Sequence, residues 1–390
     1  MSVGIEEMAF YTPALSLDMV DLAKARHEEP DKYTIGIGQT TQSVQPNYED
    51  VVTMGVNAAM TFIDRVDRET IEMLLFATES SVDNSKSGAI FAKNFLGLKD
   101  AIRAIEIKQA CYAGTFALMQ AKDFVTLHPD KKVLVIASDI ARYGLKTPGE
   151  VTQGAGAVAM LISADPKIAT INDDTVYMTL DEPDFWRPID SDIALVDGHQ
   201  STDVYKDMFL KLWTRYQAAS GLALSDFDGW AFHMPYTKMA KKALDQILPE
   251  VDEEKQRLFK ERLADAQYYN RHVGNLYTGS LYLSLLSLLG RADGLAAGNR
   301  IGLFSFGSGA EAELFSITLT DGFQEVIDDQ GLRERLAARR SLSMAEYEEI
   351  FQNQRFDSKD EQPTDAPEAT NNCQFIGWKG QYRQYRIANK

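Results

Sequence analysis

The sequence predicts an α/β protein built from two related halves. Short apolar strands alternate with helices along the chain, which is typical of α/β proteins. One order of strand, polar residue, helix and glycine-rich turn also occurs twice, first in 71–162 and again in 227–319. Because such self-similarity indicates a duplication, we divide the chain into an N-terminal half, 1–165, and a C-terminal half, 166–390.

The first half contains three apolar segments that we predict to be buried strands, at 73–78, 133–137 and 157–162. Helices are expected at 17–27 and 50–64, with a glycine-rich turn at 35–38 between them. The second half repeats the pattern with strands at 227–232, 301–305 and 313–319 and helices at 208–219 and 281–289. Both halves therefore predict a sheet covered by helices.

Equivalent positions in the two halves carry polar side chains. Glu79 and His233 each end an apolar strand, and Cys111 and Asn275 each come just before a helix. The turn Gly154-Ala155-Gly156-Ala157 also matches Gly307-Ser308-Gly309-Ala310. If the halves pack with equivalent ends together, these four side chains meet in one cleft.

Cys111 stands where strand-like alternation at 105–108 changes into a small, apolar helix. The free N–H groups and positive dipole end of that helix are expected to lower the pKa of the thiol and make it a nucleophile. The alternative is a buried cysteine that acts only as a small apolar residue.

Other polar residues have two interpretations each. Glu79, half desolvated, is expected to have a raised pKa and to act as a general base, or is simply a solvated strand end. His233 is a catalytic group or a core histidine with a satisfied hydrogen bond. Asn275 orients a ligand carbonyl or forms a turn, and Ser308 lies where backbone N–H groups meet an oxygen or in a tight turn.

A local basic patch follows His233. Lys238 and Lys242 are four residues apart on the predicted helix and, with Lys241, could meet a phosphate group, although a solvated helix face is the simpler alternative. The five histidines show no metal-ligand spacing, and no dinucleotide or phosphate-loop motif occurs. We therefore expect neither a metal nor a nucleotide cofactor.

Composition limits the partners and the compartment. The formal net charge is −17, which argues against nucleic acid or an anionic membrane as the main partner. Two distant cysteines do not suggest a disulfide framework, and neither a signal peptide nor a membrane span is recognisable. A cytoplasmic protein is expected.

Two regions fall outside the repeat. Residues 181–205, within an insertion of about 176–210, are aromatic and turn-rich and are expected to line a pocket. Residues 356–370 are polar with two prolines and predict a surface loop before the final strands, 373–387.

Taken in order, several motifs resemble the bacterial type of the 3-hydroxy-3-methylglutaryl-coenzyme A (HMG-CoA) synthase family, in the thiolase superfamily. The resemblance covers essentially the whole chain. It rests on these segments: Lys32-Tyr33-Thr34-Ile35-Gly36-Ile37-Gly38-Gln39, Ala77-Thr78-Glu79-Ser80, Lys108-Gln109-Ala110-Cys111-Tyr112-Ala113, Thr152-Gln153-Gly154-Ala155-Gly156-Ala157, Asp184-Phe185-Trp186-Arg187-Pro188, Val196-Asp197-Gly198, His233-Met234-Pro235-Tyr236 and Gly307-Ser308-Gly309.

This resemblance implies a thiolase-like, five-layered αβαβα fold, a homodimer, and no metal or tightly held cofactor. It implies a mevalonate-pathway acyltransferase that condenses acetyl-CoA, acetoacetyl-CoA and water to HMG-CoA and coenzyme A. Cys111 would carry the acetyl group, Glu79 would remove a proton from its methyl group, and His233 would bind and polarise acetoacetyl-CoA. The positions that match substrate-binding residues are Tyr143, Thr152, Ser201, Lys238, Lys242, Asn275 and Ser308.

Two other functions are compatible with parts of the pattern. A ketoacyl synthase also uses Cys, His and Asn, but Glu79 would have no counterpart there. A non-catalytic binding or scaffold subunit is the alternative outside enzymes, and the intact set of Glu79, Cys111 and His233 weighs against it.

Overall fold

The computed structural model describes residues 2–191, 193–353, 366–367 and 372–387. The strands are β1 (Gly4–Tyr11), β2 (Leu15–Asp18), β3 (Thr41–Val44), β4 (Ile71–Ala77), β5 (Arg103–Ile107), β6 (Lys132–Ala141), β7 (Gly154–Ser163), β8 (Ala169–Ile171), β9 (Val176–Thr179), β10 (Phe185–Trp186), β11 (Leu195–Val196), β12 (Gly229–Phe232), β13 (Arg300–Gly307), β14 (Glu311–Leu319), β15 (Arg340–Ser341), β16 (Cys373–Lys379) and β17 (Tyr382–Ile387). The helices are α1 (Met19–Ala25), α2 (Val51–Met60), α3 (Gly88–Phe95), α4 (Ala113–Leu127), α5 (Gly198–Ser220), α6 (Met239–Ile247), α7 (Glu253–Ala266), α8 (Tyr268–Val273), α9 (Ser280–Arg291), α10 (Phe323–Val326), α11 (Asp329–Ala337) and α12 (Met344–Asn353).

The same strand pairing occurs in both halves of the main sheet. In the first half β4 runs parallel to β6, and β6 pairs antiparallel with β7. In the second half β12 runs parallel to β13, and β13 pairs antiparallel with β14. Short β8 pairs with both β1 and β14, so the two groups of strands are continuous. The predicted duplication is confirmed by this topology, whereas the boundary at 165/166 stays a prediction.

Helices lie on both outer faces and between the two groups of strands. The small and apolar residues of α4 and the leucines of α9 pack in one central core with Val135 of β6 and Leu303 of β13. Because side chains alternate along a strand, neighbouring Leu134 and Ile136 point to the opposite face and pack with α2. Helices α5 and α6 cover the outer face of β13 and β14 in a core rich in aromatic residues. The result is the five-layered αβαβα order.

Strand β2 and helix α5 differ from the expected boundaries. Leu17 belongs to β2, since it pairs with β3, and the helix begins only at Met19, where the Asp18 side chain accepts a hydrogen bond from the backbone N–H of Val20. Helix α5 begins at Gly198, ten residues before the predicted start, with Asp197 as its N-cap. Ser201 therefore lies in a helix and not in an irregular segment.

The region expected as an insertion has regular structure. Strand β9 pairs with β14 and extends the main sheet, and β10 and β11 form a separate two-stranded hairpin. The final strands are confirmed as the hairpin of β16 and β17. Apart from 366–367, the predicted surface loop at 356–370 lies outside the described residues.

Within the residues that the structure describes, each helix is too short or too polar to cross a membrane.

Candidate active site

Glu79 and Cys111 meet at one edge of the sheet. Glu79 follows β4 and Cys111 follows the neighbouring parallel strand β5, so both emerge at the carboxyl ends of their strands. The Cys111 Sγ donates a hydrogen bond to the Glu79 Oε1 at 3.1 Å. This contact joins the two residues that the sequence singled out as nucleophile and base.

The pKa of Glu79 is raised to about 8, first because the carboxylate is buried and second because the negative charge of Asp139 is close. Glu79 is only 7% exposed. This raised pKa was expected for a carboxylate at the end of an apolar strand. A carboxyl group that titrates near neutral pH can both accept and return a proton during a reaction.

The expectation of a lowered pKa for Cys111 is wrong for this structure. Burial, followed by the adjacent Glu79, raises the pKa of the Cys111 thiol well above its ordinary value. Helix α4 begins only at Ala113, and its partial positive charge is outweighed by desolvation and by nearby carboxylates. The thiol therefore keeps its proton at neutral pH and directs it at Glu79.

Asp139 is a site residue that the sequence analysis missed. Its Oδ1 accepts hydrogen bonds from the Glu79 backbone N–H at 2.7 Å, from the Thr78 hydroxyl at 3.0 Å and from the Ser80 hydroxyl at 2.9 Å. Its Oδ2 accepts the backbone N–H of Thr278 at 3.1 Å. The signal was available, because Asp139 comes just after the apolar segment 133–137 in the sequence, as Glu79 comes just after the segment 73–78.

The Asp139–Thr278 contact connects the two halves at the site. Thr278 lies in the short turn between Asn275 and α9, in the C-terminal half. Gly114, in the first turn of α4, packs against the same turn, since a Cβ there would lie 2.5 Å from the Thr278 carbonyl oxygen. The helix starts that follow Cys111 and Asn275 thus approach each other directly.

Asn275 contacts Tyr143 and also shapes its own turn. Its Nδ2 donates to the Tyr143 hydroxyl at 3.1 Å, while its Oδ1 accepts the Tyr277 backbone N–H and the Ser280 hydroxyl, both at 2.8 Å. Tyr143 and Tyr277 pack with Phe185 in an aromatic cluster against which Cys111 also lies. Asn275 therefore forms the turn that was one of its two interpretations, and it also places a side-chain N–H at the site, as the other interpretation requires.

His233 directly follows β12 and is almost fully buried. Its backbone N–H donates to Phe304 of β13 at 2.8 Å, and its carbonyl accepts the Tyr205 hydroxyl at 2.7 Å. Among the described residues its Nδ1 has no hydrogen-bond partner. Burial lowers the pKa of His233 to about 3, so the imidazole is neutral at physiological pH.

Within the described part of the chain no hydrogen bond joins His233 to Glu79 or Cys111, but the strand beside it reaches the cysteine segment. Strand β13 runs parallel to β12 and ends at Gly307, where a Cβ would lie 2.6 Å from the backbone nitrogen of Tyr112. His233 therefore emerges at the sheet edge that faces the start of α4.

The other predicted binding residues surround this edge at different depths. The Thr152 carbonyl accepts the Asn275 backbone N–H at 3.1 Å. Ser308 lies in the turn between β13 and β14, where the next N–H, that of Gly309, donates to Asp184 Oδ1 at 2.9 Å. Asp184 is fully buried, and its Oδ2 has no hydrogen-bond partner among the described residues. After Asp139, it is the second acidic residue near the site that the sequence did not single out.

The two lysines lie outside this cluster. Lys238 Nζ donates to the Ile35 carbonyl at 3.3 Å, and Lys242 Nζ donates to the Tyr236 hydroxyl at 2.8 Å. Ser201 lies in the first turn of α5. Within the described ranges, no hydrogen bond or ion pair joins these three residues to Glu79 or Cys111. Their place in substrate binding remains a prediction.

No group of three or more His, Cys, Asp or Glu side chains in the described ranges is arranged to hold a metal ion.

Comparisons with known proteins agree with the motifs. The family models "Hydroxymethylglutaryl-coenzyme A synthase N terminal" and "Hydroxymethylglutaryl-coenzyme A synthase C terminal" match residues 1–167 and 246–374. The hydroxymethylglutaryl-CoA synthase of Enterococcus faecalis is 46% identical over 351 residues, which cover 90% of this chain and 92% of that protein. The polyketide biosynthesis 3-hydroxy-3-methylglutaryl-ACP synthase of Bacillus subtilis is 34% identical, over 90% of this chain and 88% of that protein.

The fold has close structural relatives. A crystal structure of an HMG-CoA synthase complexed with CoA matches with a TM-score of 0.96 and 40% identity, over 99% of this chain and 100% of that chain. The thiolase-like fold class is thereby confirmed. With both family models and these relatives in agreement, the chain belongs to the hydroxymethylglutaryl-CoA synthase family of acyl-transferring, condensing enzymes.

Proposed function

We propose that this protein condenses acetyl-CoA, acetoacetyl-CoA and water to HMG-CoA and coenzyme A, an early step of the mevalonate pathway. The observation that carries the proposal is the hydrogen bond of 3.1 Å between the Cys111 thiol and the Glu79 carboxylate. It pairs a nucleophile for acyl transfer with a base of suitable pKa, about 8, in a buried cleft.

In the first step Cys111 takes the acetyl group. The Sγ attacks the thioester carbonyl of acetyl-CoA, the bond from carbon to the coenzyme sulfur breaks, and coenzyme A leaves. The thiol proton passes to Glu79 Oε1 and then to the departing sulfur, so Glu79 ends this step as a carboxylate. Backbone N–H groups at Cys111 and near Ser308 are suited to stabilise the tetrahedral oxyanion.

In the second step Glu79 removes a proton from the methyl group of acetyl-Cys111. The resulting carbanion attacks the ketone carbon of acetoacetyl-CoA, and Glu79 returns that proton to the new alkoxide and becomes a carboxylate again. His233, neutral because its pKa is about 3, binds that ketone by donating an N–H hydrogen bond. Water then cleaves the thioester, which releases HMG-CoA and the Cys111 thiol.

The remaining site residues are assigned to substrate binding. Tyr143 and Asn275 lie beside the Cys111 cluster, which supports contact with the acyl groups. Thr152, Ser201 and Ser308 are assigned to the same pocket, and the half-buried Lys238 and the exposed Lys242 to the phosphates or pantetheine of coenzyme A. We assign the two halves to 1–165 and 166–390, with about 176–210 covering the pocket.

A homodimer is supported by an unpaired sheet edge. Among the described strands, β5 forms one end of the main sheet and pairs with β4 only. Ile105 of that strand is 54% exposed and Phe116, in the helix after Cys111, is 41% exposed. An exposed edge strand with apolar neighbours favours pairing with a second copy.

We also propose a reducing, cytoplasmic location, because the reaction needs Cys111 as a free thiol. We propose no bound cofactor, because the thiol and the carboxylate are sufficient for the two steps described above.

A second candidate is condensation on carrier-protein thioesters. The named activity of the Bacillus subtilis relative favours it, because "ACP" in that name denotes an acyl carrier protein. The greater identity to the Enterococcus faecalis enzyme and the lysines of α6 support coenzyme A instead. The two donors also differ in that only coenzyme A carries the adenosine phosphate for Lys238 and Lys242.

A turnover assay with defined thioesters tests the proposal. We expect the protein to release thiol from acetyl-CoA plus acetoacetyl-CoA. This release should be lost in Cys111→Ser and kept in the matched control Cys373→Ser. Cys373 is fully buried in β16, where its backbone pairs with Asn57. Turnover only with carrier-bound acetyl groups would favour the second candidate. Release of carbon dioxide from malonyl thioesters would indicate a ketoacyl synthase. Binding of the thioesters without turnover would indicate a scaffold subunit.

A further inference from the structure

A buried carboxylate from the second half of the chain reaches the residue next to Cys111. Glu313, on β14, is 3% exposed, and Tyr112 is 5% exposed. The Tyr112 hydroxyl donates to Glu313 Oε2 at 2.6 Å, and the Thr175 hydroxyl donates to Glu313 Oε1 at 2.5 Å. Both carboxylate oxygens are therefore occupied, and one of them holds the residue that follows the nucleophile.

Among the described residues no cation forms an ion pair with Glu313. Burial raises the pKa of Glu313, the charge of Glu311 on the same strand raises it further, and Lys122 lowers it only in part. Leaving a carboxylate buried in this way costs free energy unless its oxygens are hydrogen-bonded. The hydrogen bonds from Tyr112 and Thr175 therefore supply the stabilisation that this buried carboxylate needs, and they fix both its oxygens in place.

The backbone around Tyr112 is held from the same direction. Gly307, at the end of β13, packs so closely that a Cβ there would lie 2.6 Å from Tyr112 N and 2.7 Å from Tyr112 Cβ. One turn further along α4, Thr115 donates to the Ser305 hydroxyl of β13 at 2.7 Å. Two adjacent strands of the C-terminal half, β13 and β14, thus hold the start of α4, the helix that follows Cys111.

We propose that Glu313 is a positioning residue for Cys111, acting through Tyr112 to fix the direction of the thiol toward Glu79. This inference rests on the proposed function, since it assumes that Cys111 is acetylated. Tyr112 occupies the N-cap position of α4 but makes no side-chain capping bond, so the tether to Glu313 restrains its side chain instead. A loosened Tyr112 would let the Sγ leave its position 3.1 Å from Glu79 Oε1.

The test measures the rate at which Cys111 is acetylated by acetyl-CoA, by rapid quench and mass spectrometry, over a range of acetyl-CoA concentrations. Tyr112→Phe and Glu313→Leu each remove the tether and are expected to lower the limiting acetylation rate about tenfold, without changing the half-saturating concentration. Glu313→Gln keeps an acceptor for Tyr112 and is expected to stay within about twofold. The double variant Tyr112→Phe/Glu313→Leu should lose no more than either single one, because both remove one contact.

A matched control separates positioning from stability. Tyr216→Phe removes a hydrogen bond of the same length, 2.6 Å, between a tyrosine and the carboxylate of Asp174, far from Cys111 in sequence and on α5. It is expected to lower thermal stability without slowing acetylation. An unchanged acetylation rate in Tyr112→Phe, or losses that multiply in the double variant, would overturn the positioning role. Absence of acetylation in the unsubstituted protein would instead overturn the proposed function.

Discussion

The carboxylate of Asp139 accepts the backbone N–H of Glu79 at 2.7 Å and, through its other oxygen, the backbone N–H of Thr278 at 3.1 Å. One buried side chain therefore fixes the base in the first half and the turn after Asn275 in the second. Burial raises the pKa of Asp139 to about 6, and its charge in turn raises the pKa of Glu79. Electrostatics and geometry of the site thus depend on the same residue.

Asp139→Asn is expected to move the pH dependence of catalysis to lower pH. Without the charge of Asp139, less opposes ionisation of Glu79, so its pKa falls from about 8 toward the ordinary range. The amide also cannot accept every N–H and O–H now donated to the carboxylate, which we expect to lower kcat by ten- to hundredfold at about 1–3 kcal/mol per unpaired group. Initial rates between pH 5 and 9 measure both effects. An unshifted pH profile would show that Asp139 does not set the pKa of Glu79.

Glu79→Gln is expected to abolish condensation and to stabilise the fold at neutral pH. Because the folded-state pKa of Glu79, about 8, lies above the unfolded value, the folded protein binds the extra proton between about pH 4.3 and 8. Stability therefore falls as pH rises through that window, by an amount on the order of 5 kcal/mol in total. Urea unfolding at pH 5 and pH 8 measures this effect. The free energy of unfolding of Glu79→Gln, relative to the unsubstituted protein, should be greater at pH 8 than at pH 5. An equal difference at both pH values would contradict the raised pKa.

His233→Ala is expected to weaken acetoacetyl-CoA binding and leave acetylation of Cys111 nearly intact. The imidazole is neutral, with a pKa of about 3, so it contributes hydrogen bonding and not charge. Loss of one such bond in a buried site should raise the KM for acetoacetyl-CoA about tenfold. His128→Ala, at the exposed end of α4, is the matched control and should behave like the unsubstituted protein. A slowed acetylation step in His233→Ala would place the residue in the first half-reaction instead.

Gly114→Ala tests the contact between the two helix starts. The new Cβ would lie 2.5 Å from the Thr278 carbonyl oxygen, a backbone atom that cannot move aside alone. We expect a loss of about 1–3 kcal/mol in the free energy of unfolding, with lower activity. Gly198→Ala, in the first turn of α5 with open space around its Cβ, should be neutral or slightly stabilising. Equal stability of the two variants would argue against close packing at this point.

The sequence predicted the fold and the Glu79–Cys111 pairing because apolar strands and their polar end residues are local patterns. The duplication then related positions that are remote along the chain. What could not be predicted depends on three-dimensional surroundings. The pKa of Cys111 follows its burial beside Glu79 and not its place before a helix. Asp139 and Asp184 gain their importance from N–H groups supplied by other segments, Thr278 and Gly309.

Some boundaries of helices and strands also could not be predicted, because they depend on contacts with other segments of the chain. Leu17 was expected at the start of a helix, but its pairing with Gln42 in β3 makes it a strand residue. Helix α5 extends back to Gly198 through polar residues that show no apolar periodicity. Ser201 therefore lies on a helix, a position that composition alone did not suggest.

The central claim is that Cys111 is the residue that receives the acetyl group, with Glu79 as its base. Peptide mass spectrometry after incubation with acetyl-CoA tests this most directly. We expect one acetyl group, on the peptide that contains Cys111 and not on that of Cys373; in Glu79→Ala it should form more slowly and persist when acetoacetyl-CoA is added. An acetyl group on any other residue, or its normal discharge by acetoacetyl-CoA in Glu79→Ala, would contradict the account.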